Sequence, residues 1–502
     1  MSAHPNKRST KWIAAFAAAG VLAVTGAGSA AFAADLTTVD DTKVGSITVH
    51  KYELPDTGFG PEGTGKQLDA ADVAGLTPLP GVTFQVERLT EYDLTTNAGW
   101  TALQGLSLQD AIDTATKTLA GSVVTDANGE AAFGSLPLGA YLVTETAAPT
   151  GVIASKPFVI TVPLTDPDNK NAWMYDVHVY PKNQIANAEK TAEDSESTAI
   201  GDDVVWSILG DIPVSDPIDG YKIVDVLDPR LSYDPANPAV LSLDGSATAL
   251  VEGVDYTLTA VQNAGAWTIT AEFTAAGRAK LVTVKAADYD ARVKLVIPTT
   301  VNEIGDGNIE NTALVYPNLP SFDITPGEPG GPLEPTDESK WGKVEILKHE
   351  QGDKAELLAG AQFQVFTSQA DADAQTNPVT INGQDTWTTA ANGVTSIEGL
   401  RQSGWADGAA VAPGEEGYQE YWIVEVKAPA GYELLAEPIK VTVGDPTTQA
   451  IIEVPNALDN GGFELPFTGG EFNSALLYGA GSIILAGVVL MAVRRRKAAA
   501  DN

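Results

Sequence analysis

Tyr421-Trp422-Ile423-Val424-Glu425-Val426-Lys427-Ala428-Pro429-Ala430-Gly431-Tyr432 has a counterpart in the first third of the chain, Tyr141-Leu142-Val143-Thr144-Glu145-Thr146-Ala147-Ala148-Pro149-Thr150-Gly151. Both run through β-branched and aromatic residues and stop at Ala-Pro-x-Gly, the pattern of a strand closed by a turn. The correspondence continues outward from this pair. Leu79-Pro80-Gly81-Val82-Thr83-Phe84-Gln85-Val86 matches Leu358-Ala359-Gly360-Ala361-Gln362-Phe363-Gln364-Val365, and Ala127-Asn128-Gly129 matches Ala391-Asn392-Gly393. Two related domains therefore flank an unlike one. Elsewhere, short alternating segments rich in Val, Ile, Thr and Tyr are broken by Gly, Pro, Asn and Asp, and helical periodicity is scarce. The expected fold is all-β: three tandem Ig-like β-sandwich domains over 35–185, 186–320 and 341–458, followed by a C-terminal transmembrane helix. The stretch 321–340, within the segment Pro317 to Lys340 that is dense in Pro and Gly, reads as a semi-rigid linker.

A chain of 502 residues is long enough for these three cores. Thirty Lys and Arg against 66 Asp and Glu give a net charge of -36, which repels nucleic acid and anionic membrane surfaces. The sequence holds no cysteine and four histidines, His4, His50, His178 and His349. Thiol nucleophiles are thereby excluded, zinc sites are disfavoured, and no cofactor is expected. Asp371, Asp373 and Asn377 have a loosely calcium-like spacing but lack the Gly and terminal Glu of an EF-hand loop, so they read as a solvated turn.

The two ends carry targeting information. Lys7, Arg8 and Lys11 precede an apolar stretch from Trp12 to Val24 and the small residues around Ala31-Phe32-Ala33, which together read as a signal peptide over 1–33. At the other end, within 459–502, Leu465-Pro466-Phe467-Thr468-Gly469 is followed by an uncharged apolar run over 475–493 and then by Arg494-Arg495-Arg496-Lys497. The run is long enough to cross a bilayer, and the basic cluster holds its end in the cytoplasm. This order resembles the LPxTG cell-wall sorting signal, in which a sortase cysteine attacks the Thr-Gly carbonyl. The resemblance implies cleavage between Thr468 and Gly469; an ordinary single-span anchor is the alternative. Leu54-Pro55-Asp56-Thr57-Gly58 fits the pentapeptide too, but no apolar run or basic stop follows it, and it reads as a loop.

Strand parity singles out a set of polar residues. Successive side chains on a strand alternate faces, so Lys348 shares the inward face of Val344 and Ile346, Glu425 that of Tyr421 and Ile423, and Asn456 that of Ile452 and Val454. Burial drives an ammonium–carboxylate pair towards amine and carboxylic acid, and a neutral lysine amine is a nucleophile. Held against the Asn carboxamide, it can expel ammonia and leave an amide. A buried Lys–Glu ion pair beside a hydrogen-bonded Asn is the alternative. The set resembles the intramolecular isopeptide sites of CnaB-type domains, whose E-box matches Tyr421 to Tyr432. The resemblance implies Lys348 as nucleophile, Asn456 as electrophile and Glu425 as catalytic acid. Such a bond would close a loop of roughly a hundred residues, worth about 4–5 kcal/mol if loop-closure entropy transfers from disulfides.

The middle domain offers Lys190 with Ala186 and Ala188, Asp225 with Ile223 and Leu227, and Asn311 with Ile309 and Ala313. This looks like a CnaA-type arrangement in which Asp takes the part of Glu. The first domain carries Lys51 after Ile47 and Val49, Glu145 after Tyr141 and Val143, and Asn183 after Val179. There a Lys51–Asn183 bond and an unreacted pair are both open.

Trp173-Met174-Tyr175-Asp176-Val177-His178-Val179-Tyr180-Pro181-Lys182 closes the first domain, with Val177 and Val179 inward and His178, Tyr180 and Lys182 expected outward. It fits the pilin motif WxxxVxVYPK at every specified position, and on it the chain resembles the SpaA/FimA-like major pilins of Gram-positive bacteria. That resemblance implies a secreted, wall-anchored structural protein rather than an enzyme, with Lys182 attacking the sortase-bound Thr468 acyl group of another subunit. A surface lysine after a strand-ending proline is the plainer reading. The implied partners are identical pilin subunits in a covalent polymer, a pilus-specific sortase, a housekeeping sortase with peptidoglycan precursor, minor tip and basal pilins, and host or other cell surfaces. A monomeric wall-anchored adhesin, or a tip or basal subunit, is the competing function; it needs no acceptor lysine.

Overall fold

The computed structural model describes residues 38–55 and 60–459. The signal peptide, Asp56 to Gly58 of the internal pentapeptide, and the sorting signal from Leu465 to Gly469 with its apolar run lie outside the described residues.

The first domain is a sandwich of two sheets. Gly45–His50 pairs in parallel with Asp176–Val179 and antiparallel with Glu130–Leu136. Opposite it lie, in spatial order, Lys117–Val124, Thr83–Leu89, Gly139–Ala147 and Phe158–Val162. Ile47, Val49, Phe84, Val86, Tyr141, Val143 and Val177 point between the sheets and form the core. Two helices, Asn97–Gln104 and Leu108–Asp113, begin at Thr96 and Ser107, whose side chains accept hydrogen bonds from Gly99 N and Asp110 N. They cover the outer face of the second sheet around Leu89, Ala140 and Leu142. That sheet is thus covered on both sides, which explains why its central strand, Gly139–Ala147, opens with five consecutive buried residues.

The third domain repeats the plan. Thr336–Glu350 pairs antiparallel with Val394–Arg401 and in parallel with Ile452–Asn456, facing a second sheet of Gln362–Phe366, Tyr421–Lys427 and Ile439–Val441. The middle domain differs. Ala188–Glu193, Asp203–Asp211 and Arg292–Val301 make one sheet, packed against Tyr256–Asn263, Ala266–Phe273, Lys222–Val226 and Asn308–Tyr316.

The expected linker over 321–340 needs correction. Residues Thr336 to Lys340 pair antiparallel with Asn308 to Thr312 of the middle domain, and the same strand continues without interruption into the third. Thr336-Asp337-Glu338-Ser339-Lys340 is polar because its side chains bond to the middle domain, Asp337 Oδ2 accepting from Ala192 N at 2.7 Å and buried Ser339 Oγ donating to Asp194 Oδ2 at 2.5 Å, and polarity alone does not distinguish such a strand from a linker. The hydrophobic core of the middle domain is contiguous with that of the third, whereas the first has its own.

Candidate functional site

In both outer domains the first and last strands run in parallel, and this decides which side chains meet. Lys348 lies opposite Val454, with Asn456 two residues further on and on the same face. In the first domain Tyr52 lies opposite Lys182 and Glu53 opposite Asn183, so Lys51 and Asn183 have the same offset. The acid comes from the facing sheet: Glu145 sits at the register of Phe84, and Glu425 at that of Phe363.

Local backbone geometry around the two lysines is also repeated. Gly129 and Gly393 have φ of 75° and 72°, a region that favours glycine. Their carbonyls accept from Lys51 N at 2.7 Å and Lys348 N at 2.8 Å. An added Cβ would stand 2.2 Å from Lys51 O or 2.6 Å from Lys348 O, so the matched Ala-Asn-Gly turns need glycine.

Three buried Lys–acid–Asn sets result. In the third domain Lys348 Nζ donates to Asn456 Oδ1 and to Val454 O at 3.1 Å, and lies 3.4 Å from Glu425 Oε1. Asn456 Nδ2 donates to Glu425 Oε1 at 2.9 Å and Oε2 at 3.0 Å, and Leu435 N donates to Oε2 at 2.9 Å. In the first domain Lys51 Nζ donates to Asn183 Oδ1 at 2.5 Å and to Glu145 Oε1. Asn183 Nδ2 donates to Glu145 Oε2 at 2.7 Å. In the middle domain the lysine reaches across the sandwich, Lys190 Nζ donating to Asp225 Oδ2 at 2.5 Å, and Asn311 Nδ2 lies 3.3 Å from the same oxygen.

Each lysine is desolvated. Lys51 and Lys348 are fully buried, and burial pulls both down to about 8 despite the neighbouring carboxylate. Lys190 is lowered for the same reason, while burial raises Asp225 above the ordinary carboxyl range. These opposite directions move the pair towards amine and carboxylic acid. Among the described residues, Asp225 Oδ1 and Asn311 Oδ1 are both buried acceptors without a donor. A carboxylic acid proton is the kind of donor such an orphaned pair calls for. It would also polarise the carboxamide for attack by the lysine.

Sequence reasoning missed the aromatic rings beside these amines. Phe84, Phe363 and Trp206 lie 5.7, 6.0 and 5.3 Å from Lys51, Lys348 and Lys190 Nζ. The signal was present, since Phe84 and Phe363 occupy matched positions of the repeat.

Lys182, Tyr180 and His178 were expected outward, and this needs correction. Pro181 has no amide hydrogen and ends the strand at Val179, so parity is lost before pairing resumes at Lys182. Tyr180 is buried, its ring stacked 4.7 Å from that of His50 and its hydroxyl accepting from Leu68 N at 2.7 Å. His178 is half-buried, with Nδ1 2.9 Å from His50 Nε2. Lys182 is half-buried too, and its Nζ donates to Pro61 O at 3.0 Å and Tyr180 O at 3.2 Å. Burial lowers its pKa. Among the described residues no carboxylate lies within ion-pair distance of it.

Residues 42–184 match the Gram-positive pilin subunit D1, N-terminal domain family; residues 342–457 match a prealbumin-like fold domain; and residues 457–499 match the LPXTG cell wall anchor motif. The fimbrial subunit type 1 of Actinomyces viscosus is 34% identical over 92% of either chain. The chain belongs to the Gram-positive fimbrial pilins. The fimbrial subunit type 2 of Actinomyces naeslundii is 33% identical over 96% of either chain. The full-length major pilin SpaD of Corynebacterium diphtheriae, 27% identical, superposes with a TM-score of 0.63 over 84% of this pilin and 98% of its own length. The pilin is a subunit of a sortase-assembled, cell-wall-anchored surface fimbria, built from β-sandwich domains.

Proposed function

We propose that this pilin forms the shaft of the fimbria, through an amide between Lys182 Nζ and the Thr468 acyl carbon of the next subunit. The observation that carries this reading is the environment of Lys182. Its amine is held by two carbonyl oxygens, with burial lowering its pKa and, among the described residues, no carboxylate within ion-pair distance. Sortase first cleaves the Thr468–Gly469 bond and holds Thr468 as a thioester. Attack by the neutral lysine then releases the sortase thiol, and each subunit spends one acceptor and one donor. A housekeeping sortase transfers the last subunit to a peptidoglycan precursor, and minor tip and basal pilins complete the fibre.

Inside the subunit, Lys348–Asn456 and Lys190–Asn311 become amides, and Lys51–Asn183 is a third pair able to react. The lysine ammonium passes a proton to Glu425 or Asp225, the amine attacks Cγ of the Asn, and the acid gives its proton to the departing nitrogen and takes one from the attacking nitrogen, so that ammonia leaves and a neutral amide remains. The amine–acid proximity and the desolvation in each domain support this. Each group reacts once, so we read the chain as a structural unit without turnover.

Boiled wall extracts from cells expressing wild type, Lys182→Ala or Thr468→Ala, resolved on a denaturing gel, test the shaft role. A ladder of high-mass species in the wild type alone is the expected result. A ladder that survives Lys182→Ala would assign the acceptor elsewhere, and a single wall-bound band in wild type would leave a terminal subunit as the better reading.

A further inference from the structure

The two Glu-containing sites differ at one matched position. Ten residues after the acid, Ser155 N and Leu435 N make the same contact, donating to the carboxylate Oε2 at 3.1 and 2.9 Å. The side chains diverge. Leu435 packs against the hydrophobic core, whereas the Ser155 hydroxyl donates to Glu145 Oε1 at 2.6 Å. Glu145 therefore accepts on Oε1 from Lys51 and the Ser155 hydroxyl, and on Oε2 from Asn183 Nδ2 and Ser155 N. Both oxygens have two donors each. Glu425 has no hydroxyl, and its lysine stands at 3.4 Å. Asp225 retains a bare oxygen.

Amide formation needs a carboxylic acid, and its proton must sit on one of those oxygens. In the first domain that proton competes with the donors already there; in the middle domain a site is vacant. We propose that Ser155 is a positioning residue that holds Glu145 as an acceptor-only carboxylate, so that the Lys51–Asn183 amide forms more slowly than those of the other two domains. This rests on the cross-linking reading given above. Overall the step remains amine plus carboxamide giving amide plus ammonia, and Ser155 acts only on the prior transfer of the ammonium proton to Glu145.

The test is a time course on the whole pilin made in cells without its sortase, with protease-released cross-linked peptides quantified by mass, each bond marked by a loss of about 17 Da. Wild type is expected to form the Lys51–Asn183 bond about tenfold more slowly than Lys348–Asn456, a gap of one charge-assisted hydrogen bond. Ser155→Ala and Ser155→Leu should close that gap, Ser155→Thr should preserve it, and Leu435→Ser should slow the third-domain bond by a comparable factor. The Thr and Leu435→Ser arms separate a hydroxyl effect from loss of folding. Equal rates in wild type, or a first-domain rate unmoved by Ser155→Ala, would overturn the role of Ser155 while leaving cross-linking intact. Absence of any mass loss in the third domain of wild type would instead remove the cross-linking reading itself.

Discussion

Whether a lysine is a cation or a nucleophile depends here on what surrounds it. Lys348, with hydrocarbon around its stem and Phe363 beside its amine, is fully buried and has its pKa pulled down to about 8. Glu425→Gln keeps the shape of the site but cannot carry the proton away from the ammonium. The expected outcome is retention of the ammonia mass and a loss of about 4–5 kcal/mol of stability, the entropy of a closed loop, read by intact mass and thermal melting. The first domain adds a titrating pair. Burial lowers both His50 and His178 below 6.5, with Glu130 and Asp176 opposing but not cancelling it. The unfolded chain therefore binds more protons than the folded one once pH falls below 6.5, so stability is lost in that direction. Melting of the first domain should move to lower temperature between pH 7.5 and roughly pH 5, and a His50→Gln, His178→Gln double variant should flatten the dependence. An identical melting point at both pH values in wild type would refute it. Lysine, acid and asparagine were legible because strand parity exposes a polar residue on an apolar face. Ser155 was not, because a serine after a turn is unremarkable until a neighbouring carboxylate makes it a donor.

At the level of the element, register does the aligning. Parallel pairing of first and last strands fixes a two-residue offset between Lys348 and Asn456, and the Ala-Asn-Gly turn holds the lysine's backbone from the other side. Gly393→Ala should be costly, since its Cβ would meet Lys348 O at 2.6 Å and its φ of 72° disfavours a side chain. A destabilisation of more than about 1 kcal/mol is expected, together with a lower yield of the third-domain bond. The internal repeat made these elements legible, strand for strand, in the outer domains. Parity misled at Tyr180 and Lys182 because a proline breaks the alternation, and because the segment from Gly60 to Leu68 folds over a face that local pattern leaves open.

Across the whole molecule, the seam between the second and third domains is built differently from the one before it. Arg401 is buried with, among the described residues, no carboxylate within ion-pair distance, and its guanidinium donates to Ser197 O at 2.8 Å, Ser195 O at 3.2 Å, Gly417 O at 3.0 Å and Trp405 O. Tyr421 Oη donates there too, lying 3.0 Å from Thr198 O and 2.9 Å from Arg401 O. Arg401→Ala would strand several buried carbonyls, at about 1–3 kcal/mol each where water cannot replace the guanidinium. Small-angle scattering should then show a wider spread of angles between these two domains, with the first domain unaffected. None of this was legible in the sequence, because the contacts that cross the seam, to Ser195, Ser197 and Thr198, join residues some two hundred positions apart and use backbone atoms that carry no residue signature.

Lys182 stands at the junction of the first and middle domains, at the start of the strand that leaves the first. If the shaft is joined through Lys182 and Thr468, a pull on the fibre enters at 182 and leaves beyond 459. It runs from Lys190 to Asn311 and from Lys348 to Asn456 with little chain left to pay out. The first domain lies outside that line and hangs from it as a tassel hangs from a cord. It can melt, refold or be exchanged for another without changing the length of the fibre, so the cord imposes no demand on the Lys51–Asn183 bond.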